Sequence, residues 1–259
     1  MPVNCAWANI YRNMQRIDLN CDMGEGMPDD EALMPLISSA NIACGGHAGD
    51  EDTMRRTVEL AMRHGVFVGA HPGFEDRENF GRVEMSLLPS EVFALVLRQI
   101  ESLASVCRSL RVTLHHVKPH GALYNMAARD PALSHAIASA VVEVDLALVL
   151  YGLSGSHLIT EARRLGLRTA SEVFADRTYQ DDGSLTPRNA PGALIEDETQ
   201  SLAQVLRMVR EGTVVSQSGA VVRIAADTLC LHGDGAHAVS FAKTIRNRLI
   251  HEGIGIQAP

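Results

Sequence analysis

The stretch Arg16-Ile17-Asp18-Leu19-Asn20-Cys21-Asp22 decides how this chain reads. Side chains alternate across a β-strand, so Asp18, Asn20 and Asp22 share one face while Ile17, Leu19 and Cys21 share the other. A central strand of a doubly wound sheet is apolar on both faces, because helices cover both. One polar face suits a strand that lines the inside of a barrel. The same parity sets His116, Lys118 and His120 against Val117. It also sets Thr228, Cys230, His232 and Asp234 against Leu229 and Leu231.

Outward from this strand, β-type stretches at 16–22, 40–44, 66–71, 113–118, 146–151, 168–174 and 228–232 alternate with helical patterns. The helices are expected at 29–37, 51–64, 89–110, 131–142, 156–165, 197–211 and 236–252. Asp50, Pro89 and Asp130-Pro131 supply start signals. Gly65, Gly166, Gly212 and Gly253 sit where left-handed C-caps belong. A hairpin around Gln217-Ser218-Gly219 precedes the last strand. Such alternation predicts an α/β fold, a (β/α) barrel of seven counted strands, with an eighth strand or an open barrel as the alternatives. Residues 16–259 are expected to form one barrel domain. Residues 1–15 show no element pattern and are expected to be a poorly ordered extension.

The chain has 259 residues, 46% hydrophobic and 21% charged, with a net charge of −8. That length suits one α/β domain with a large core. The acidic balance argues against nucleic acid or an anionic membrane as partner. No apolar run reaches the roughly 18 residues of a membrane span. Five widely spaced cysteines without a CxxC point to reduced thiols in a cytoplasm. The first residues lack the apolar core and cleavage site of a signal peptide.

Ionisable residues cluster just beyond successive strands, where α/β folds place their chemistry. Asp22 is the favoured functional carboxylate of the first strand, and Asp18 reads equally as a substrate contact or a backbone cap. Asn41 opens a glycine-rich stretch in which His47 has little bulk beside it. His71 ends a strand whose same-face neighbour, Gly69, leaves room beside the imidazole. Lys118, on a polar face, loses hydration and needs an anion. It is read as an acid, a base or an anion contact, or as half of a buried ion pair with Asp22 or Glu172. His120 follows two residues later. Glu172 and Asp176 share parity ahead of Arg177 and a loop, 178–192, with the composition of a lid. Arg77, Arg82 and Arg188 are candidate anion contacts. His232 joins the set, and Asp234 reads as a helix N-cap.

No Walker loop, GxGxxG, GxSxG or HExxH is present. The remaining chemistry is hydrolysis of a small polar molecule by carboxylates and imidazoles, with or without a divalent metal.

Segments 18–25, 40–50, 69–73 with Gly81-Arg82, 117–125, 172–183 and 228–234 together resemble the LamB/YcsF family, in the same order across residues 16–256. Gly46, where the family more often carries Phe, and Glu75-Asp76, where Pro-Asp is usual, depart from it. The resemblance implies a barrel of the glycoside hydrolase/deacetylase type. It also implies the A component of an ATP-dependent 5-oxoprolinase, which opens the 5-oxoproline lactam to glutamate with partner subunits B and C. ATP would then act in the complex, with activation of the lactam left to the partners. On this reading Asp22 or Glu172 is the base, His71 or His120 the acid, and Lys118 the oxyanion contact. Asp18, Asn20, Asn41, His47, Asp176, Arg177 and His232 would bind the lactam. The superfamily suggests a metal-dependent amide or carbohydrate deacetylase instead, with Asp22, His47 and His71 holding a divalent ion. A non-catalytic lactam-binding subunit is the third reading.

Overall fold

The computed structural model describes residues 15–231 and 238–259, so His232 and Asp234 lie outside the described residues. Its strands are β1 (Arg16–Met23), β2 (Ser39–Ala43), β3 (Phe67–His71), β4 (Leu114–Val117), β5 (Val149–Leu153), β6 (Arg168–Phe174), β7 (Thr213–Val215), β8 (Val221–Arg223), β9 (Thr228–Leu231) and β10 (Gly255–Ile256). β1 to β6 pair in parallel in sequence order, β6 pairs with β9, and β9 returns to β1. The result is a closed seven-stranded parallel barrel wrapped in helices. β10 adds an unforeseen short partner below the point where β9 begins, pairing Arg16 with Gly255 and Ile17 with Ile256.

The parity of β1 is realised in space. Ile17, Leu19, Cys21 and Met23 are buried in the apolar layer between strands and helices. Asp18 and Asn20 turn into the barrel, fully buried, and bond side chains from other strands.

Helices Glu51–His64 and Pro89–Leu110 take the expected bounds because both ends are signalled locally. The Asp50 carboxylate accepts the Thr53 N–H, and Gly65, at φ 66°, closes the first helix. Pro89 opens the second, where the Glu91 carboxylate accepts the Leu88 N–H.

Two expectations fail for local reasons, and one element is new. The helix at 29–37 is two short pieces, Asp30–Leu33 and a 3-10 turn at Met34–Leu36. Pro35 has no N–H to donate, and its ring obstructs the preceding turn of an α-helix. β5 starts three residues late because Asp145 caps the turn after its helix, accepting the Ala147 N–H. An additional helix, Gly121–Arg129, springs directly from His120.

The hairpin forms as β7 and β8, with Val214 opposite Val222. It buttresses the segment after β6. The Gln217 N–H bonds the Tyr179 carbonyl, and Ser216 and Ser218 donate to Asp181. Among the described residues no helix is long and apolar enough to cross a membrane.

Candidate active site

The barrel interior carries buried polar side chains held by hydrogen bonds, beside a small apolar cluster of Val149, Tyr151 and Ala170. At the bottom, Asp18 accepts from the hydroxyls of Ser38, Ser39 and Thr228 at 2.6, 2.8 and 2.6 Å. Burial raises its pKa, against those hydroxyls. One layer up, Asn20 donates to Glu172 at 3.0 Å, Asn41 donates to Asn20 at 2.8 Å, and His116 bonds the Asn41 oxygen at 2.8 Å. The His116 ring stacks on Tyr151 at 4.3 Å. Gly69 makes room for that ring, because a Cβ there would lie 2.1 Å from His116 Nε2. The space expected beside His71 is therefore taken by His116.

Lys118 crowns this network. Its Nζ lies 2.8 Å from Glu172 and 3.0 Å from Asp22. Burial pulls its pKa down, but Asp22, Cys230 and Glu172 outweigh burial and hold it well above the usual lysine range. Burial pushes Asp22 up, yet His71 and Lys118 hold it well below the usual carboxylate range. The ammonium and the Asp22 carboxylate are thus both charged at neutral pH.

Beside Asp22 stands a cluster of Glu25, His47, His71 and His120, whose ligand atoms lie within 4.8 Å of one another. Glu25 Oε1 is 2.8 Å from His47 Nε2, 3.4 Å from His120 Nδ1 and 3.7 Å from His71 Nε2. His71 Nδ1 donates to the Lys118 carbonyl at 2.7 Å, and His120 Nε2 to the Phe80 carbonyl at 2.9 Å. Burial first, then His71, push His47 and His120 down to about 3, so both are neutral at pH 7. Burial also lowers His71, but Asp22 reverses the sign and its pKa is raised. One carboxylate and three imidazoles, two of them fixed by backbone carbonyls, form a donor set that suits zinc or another borderline divalent ion. His47 Nδ1 is buried without a partner, which leaves that ring uncommitted on one side.

The loop that positions His120 is strained. Phe80 has φ 57°, unusual for a bulky residue, and Gly81 has φ 64°. This geometry points the Phe80 carbonyl at His120 and sets the Phe80 ring edge-on to both His47 and His120. Gly121 must be glycine here, since a Cβ would lie 2.6 Å from the Gly81 carbonyl. Behind His71, the Gln99 amide bonds both the N–H and the carbonyl of Gly73. A Cβ on Gly46 would lie 2.7 Å from Gln99 Oε1. The glycine at this position and the buried glutamine therefore go together.

All this opens at the carboxyl ends of the strands into a cavity of about 980 Å³. Asp22, His71, Lys118 and His120 line its floor, and Arg177, Arg188 and the segment around Ser184 line a wall. Bridges between Arg177 and Leu194 and between Tyr179 and Leu185 give that segment its own shape.

The family model for LamB/YcsF matches residues 17–259. The chain belongs to the LamB/YcsF family. It is 57% identical over 250 residues to the A subunit of 5-oxoprolinase from Geobacillus kaustophilus (strain HTA426), covering 95% of this chain and 98% of that one. The crystal structure of the lactam utilization protein from Thermus thermophilus matches with TM-score 0.88 and 44% identity, over 94% of this chain and 100% of that one. The catalytic domain of a peptidoglycan N-acetylglucosamine deacetylase from Eubacterium rectale matches with TM-score 0.52 and 10% identity, over 99% of this chain and 90% of that one. That last likeness concerns the fold alone.

Within this LamB/YcsF barrel, the sequence candidates separate by depth. Asp22, His71, Lys118 and His120 meet at the cavity floor, with Glu172 directly behind Lys118. Asp18, Asn20 and Asn41 do not line the cavity; their side chains bond one another's layers inside the barrel. His47 is buried within the histidine cluster. Asp176 stands half-buried at the root of the segment after β6, its carbonyl accepting the Ile195 N–H, and does not line the cavity. Arg177 lines the cavity, while Arg77 bonds the Gly45 carbonyl instead. The carboxylate of the candidate metal set is Glu25, not Asp22. Glu25 lies between Gly24 and Gly26, with nothing local in the sequence to mark it as a ligand. Tyr124, on the unforeseen helix, also lines the cavity. Burial and then the Glu172 charge hold its hydroxyl well above the usual range.

Proposed function

We propose that this chain is the lactam-opening subunit of an ATP-dependent 5-oxoprolinase, adding water to the ring amide of 5-oxoproline to yield glutamate together with partner subunits B and C. The observation that carries the reading is the Asp22–Lys118–Glu172 charge cluster beside a strand-end cavity, in a chain 57% identical to the A subunit of a 5-oxoprolinase.

A five-membered lactam is a stabilised amide, so its carbonyl needs activation before water attacks. The chain carries none of the familiar phosphate-binding loops, which favours ATP-driven activation by the partner subunits. Asp22 faces the cavity as a carboxylate and is placed to orient water and take its proton as the water oxygen bonds to the carbonyl carbon. The Lys118 ammonium supports negative charge developing on the carbonyl oxygen, with Glu172 holding it in position. His71, whose raised pKa retains a proton beside Asp22, is the donor to the ring nitrogen as the C–N bond breaks. With His71 Nε2 unprotonated, Glu25, His47, His71 and His120 would instead hold a divalent ion, which would polarise an amide carbonyl as a Lewis acid in place of the His71 proton.

The test is glutamate formation from 5-oxoproline and ATP by the chain reconstituted with its partner subunits. Asp22→Asn, Lys118→Ala and Glu172→Gln should each cut turnover by about a hundredfold or more, the scale of one positioned charge in a transition state. Turnover near wild type in all three would overthrow the assignment.

A further inference from the structure

The loop after β5 lines the cavity, and the ring-opening chemistry makes no use of it. Leu153 pairs with Glu172 across β5 and β6, and the Ser154 N–H donates to the Glu172 carbonyl at 3.0 Å. The chain then turns sharply, the Ser156 N–H donating to the Leu153 carbonyl at 3.0 Å with Gly155 at φ 78°. A four-residue turn with a positive φ at its third position favours glycine there. The helix His157–Arg164 therefore starts close beyond the strand partner of Glu172, whose carboxylate holds Lys118 at 2.8 Å. Ser154, Gly155, Ser156 and His157 all line the cavity.

The first N–H groups of an α-helix have no acceptor inside the helix, and its N-terminus carries about half a positive elementary charge. An N-cap side chain or an acid in the first turn usually answers them. This helix has neither: the Ser156 side chain makes no cap bond, and the first turn holds no acidic residue. Ser156 is only 6% exposed, and its Oγ is buried without a hydrogen-bond partner among the described residues. A buried hydroxyl left unpaired is destabilising. No bond fixes its rotamer, so the hydroxyl can swing onto a ligand at the helix end without giving one up. The serine and the uncapped helix end call for the same kind of partner, an acceptor with negative charge.

The charge decides the class. The helix end offers about half an elementary charge, and the Asp22 carboxylate faces the same cavity. That balance suits a singly charged carboxylate better than a phosphoryl group, which carries about −1.5 to −2 at neutral pH. We propose that Ser156 and the N-terminus of the helix His157–Arg164 form a subsite for the substrate's carboxylate, so that the chain selects small cyclic amides bearing a carboxylate over the bare ring. The subsite rests on the lactam-opening reading and deepens it: the carboxylate is held at the helix end while the ring amide lies over Asp22 and Lys118.

The experiment uses the complex reconstituted with its partner subunits. Calorimetry without ATP measures binding of 5-oxoproline and of 2-pyrrolidinone, the same ring without a carboxylate, and steady-state kinetics gives the 5-oxoproline KM and kcat. Ser156→Ala removes the hydroxyl and should weaken 5-oxoproline binding by about tenfold, the scale of one charge-assisted hydrogen bond. Ser156→Asp sets a favoured N-cap carboxylate on the helix end, so the melting temperature should be no lower than wild type. Its negative charge should weaken 5-oxoproline binding by about a hundredfold or more. In both variants KM should rise more than kcat falls, and 2-pyrrolidinone binding should not change. Wild-type affinity for 5-oxoproline and an unchanged KM in both variants would overturn the subsite while leaving lactam opening intact. Equal losses for both probes would also overturn it, since the loop would then shape the ring pocket instead of reading the carboxylate. A wild-type complex that makes no glutamate, yet binds 5-oxoproline through Ser156, would sink the ring-opening reading and not the subsite.

Discussion

His71 Nε2 and His120 Nδ1 face each other at 2.9 Å while the other nitrogen of each ring donates to a backbone carbonyl. A carbonyl oxygen only accepts, so both outer nitrogens carry hydrogen and both facing nitrogens present lone pairs. Two lone pairs at that distance need a positive species between them. Either His71 holds an extra proton, as Asp22 and Glu25 favour, or a cation binds there.

Titration with zinc or cobalt(II) is expected to saturate at one ion per chain, read by elemental analysis and by the cobalt absorption spectrum. Glu25→Gln and His120→Ala should weaken it by about ten- to a hundredfold or more, in keeping with the loss of metal-set residues. Chelation should release the ion without unfolding the barrel, whose core lies elsewhere. Stoichiometric binding that both variants leave unchanged would remove this cluster as the site.

Lys118→Met leaves the Asp22 and Glu172 side chains without their ammonium partner, Glu172 fully buried. Breaking a buried pair from one side costs about 3–5 kcal/mol, and denaturant unfolding should show it. Pairing Lys118→Met with Glu172→Gln should cost less than the sum of the two single changes, because one vacancy neutralises the other. Strict additivity would mean that the two groups do not interact.

Asp18 lies below the cavity, so Asp18→Asn should lower stability by about 1–3 kcal/mol through lost hydroxyl bonds while leaving KM unchanged. Its folded pKa is raised above the ordinary 3.8, so the native state binds more protons than the unfolded chain in that window. The Asp18 contribution to stability is therefore full below 3.8 and declines as pH rises through the folded pKa. The deficit of Asp18→Asn relative to wild type should shrink as pH rises from about 4. A deficit that grows over that range contradicts the sign.

Gly69→Ala places a Cβ against the His116 ring and should displace it from Asn41. Overpacking of this kind costs about 1–3 kcal/mol. The imidazole signal of His116 in NMR should shift, with those of His71 and His120 less affected. An unperturbed His116 and unchanged melting temperature would show that the strand gives way instead.

Much of the barrel could be read from short-range pattern, because alternation along a strand is a property of neighbouring residues. The inward set of β1, β4 and β9, the two capped helices at Glu51–His64 and Pro89–Leu110, and the hairpin all follow from signals within a few positions. The split helix at Pro35 was equally local, and attention to the missing N–H would have found it. The helix Gly121–Arg129 was hidden because its start coincides with residues that also read as a site loop.

Depth was a different matter. Asp18 and Asp22 share a face, a residue type and nearly the same neighbours in sequence, yet one supports the barrel floor and the other meets the cavity. Their difference comes from Ser38, Ser39 and Thr228 around the first, and Lys118 and His71 around the second. Those partners come from strands and turns up to 210 residues away. The order of residues along the chain thus determined which side chains turn inward, since each strand settles that by itself. Only the closed barrel decided which inward groups pair, which stay charged and which face the cavity, because desolvation and Coulomb energy depend on neighbours that chain closure brings together.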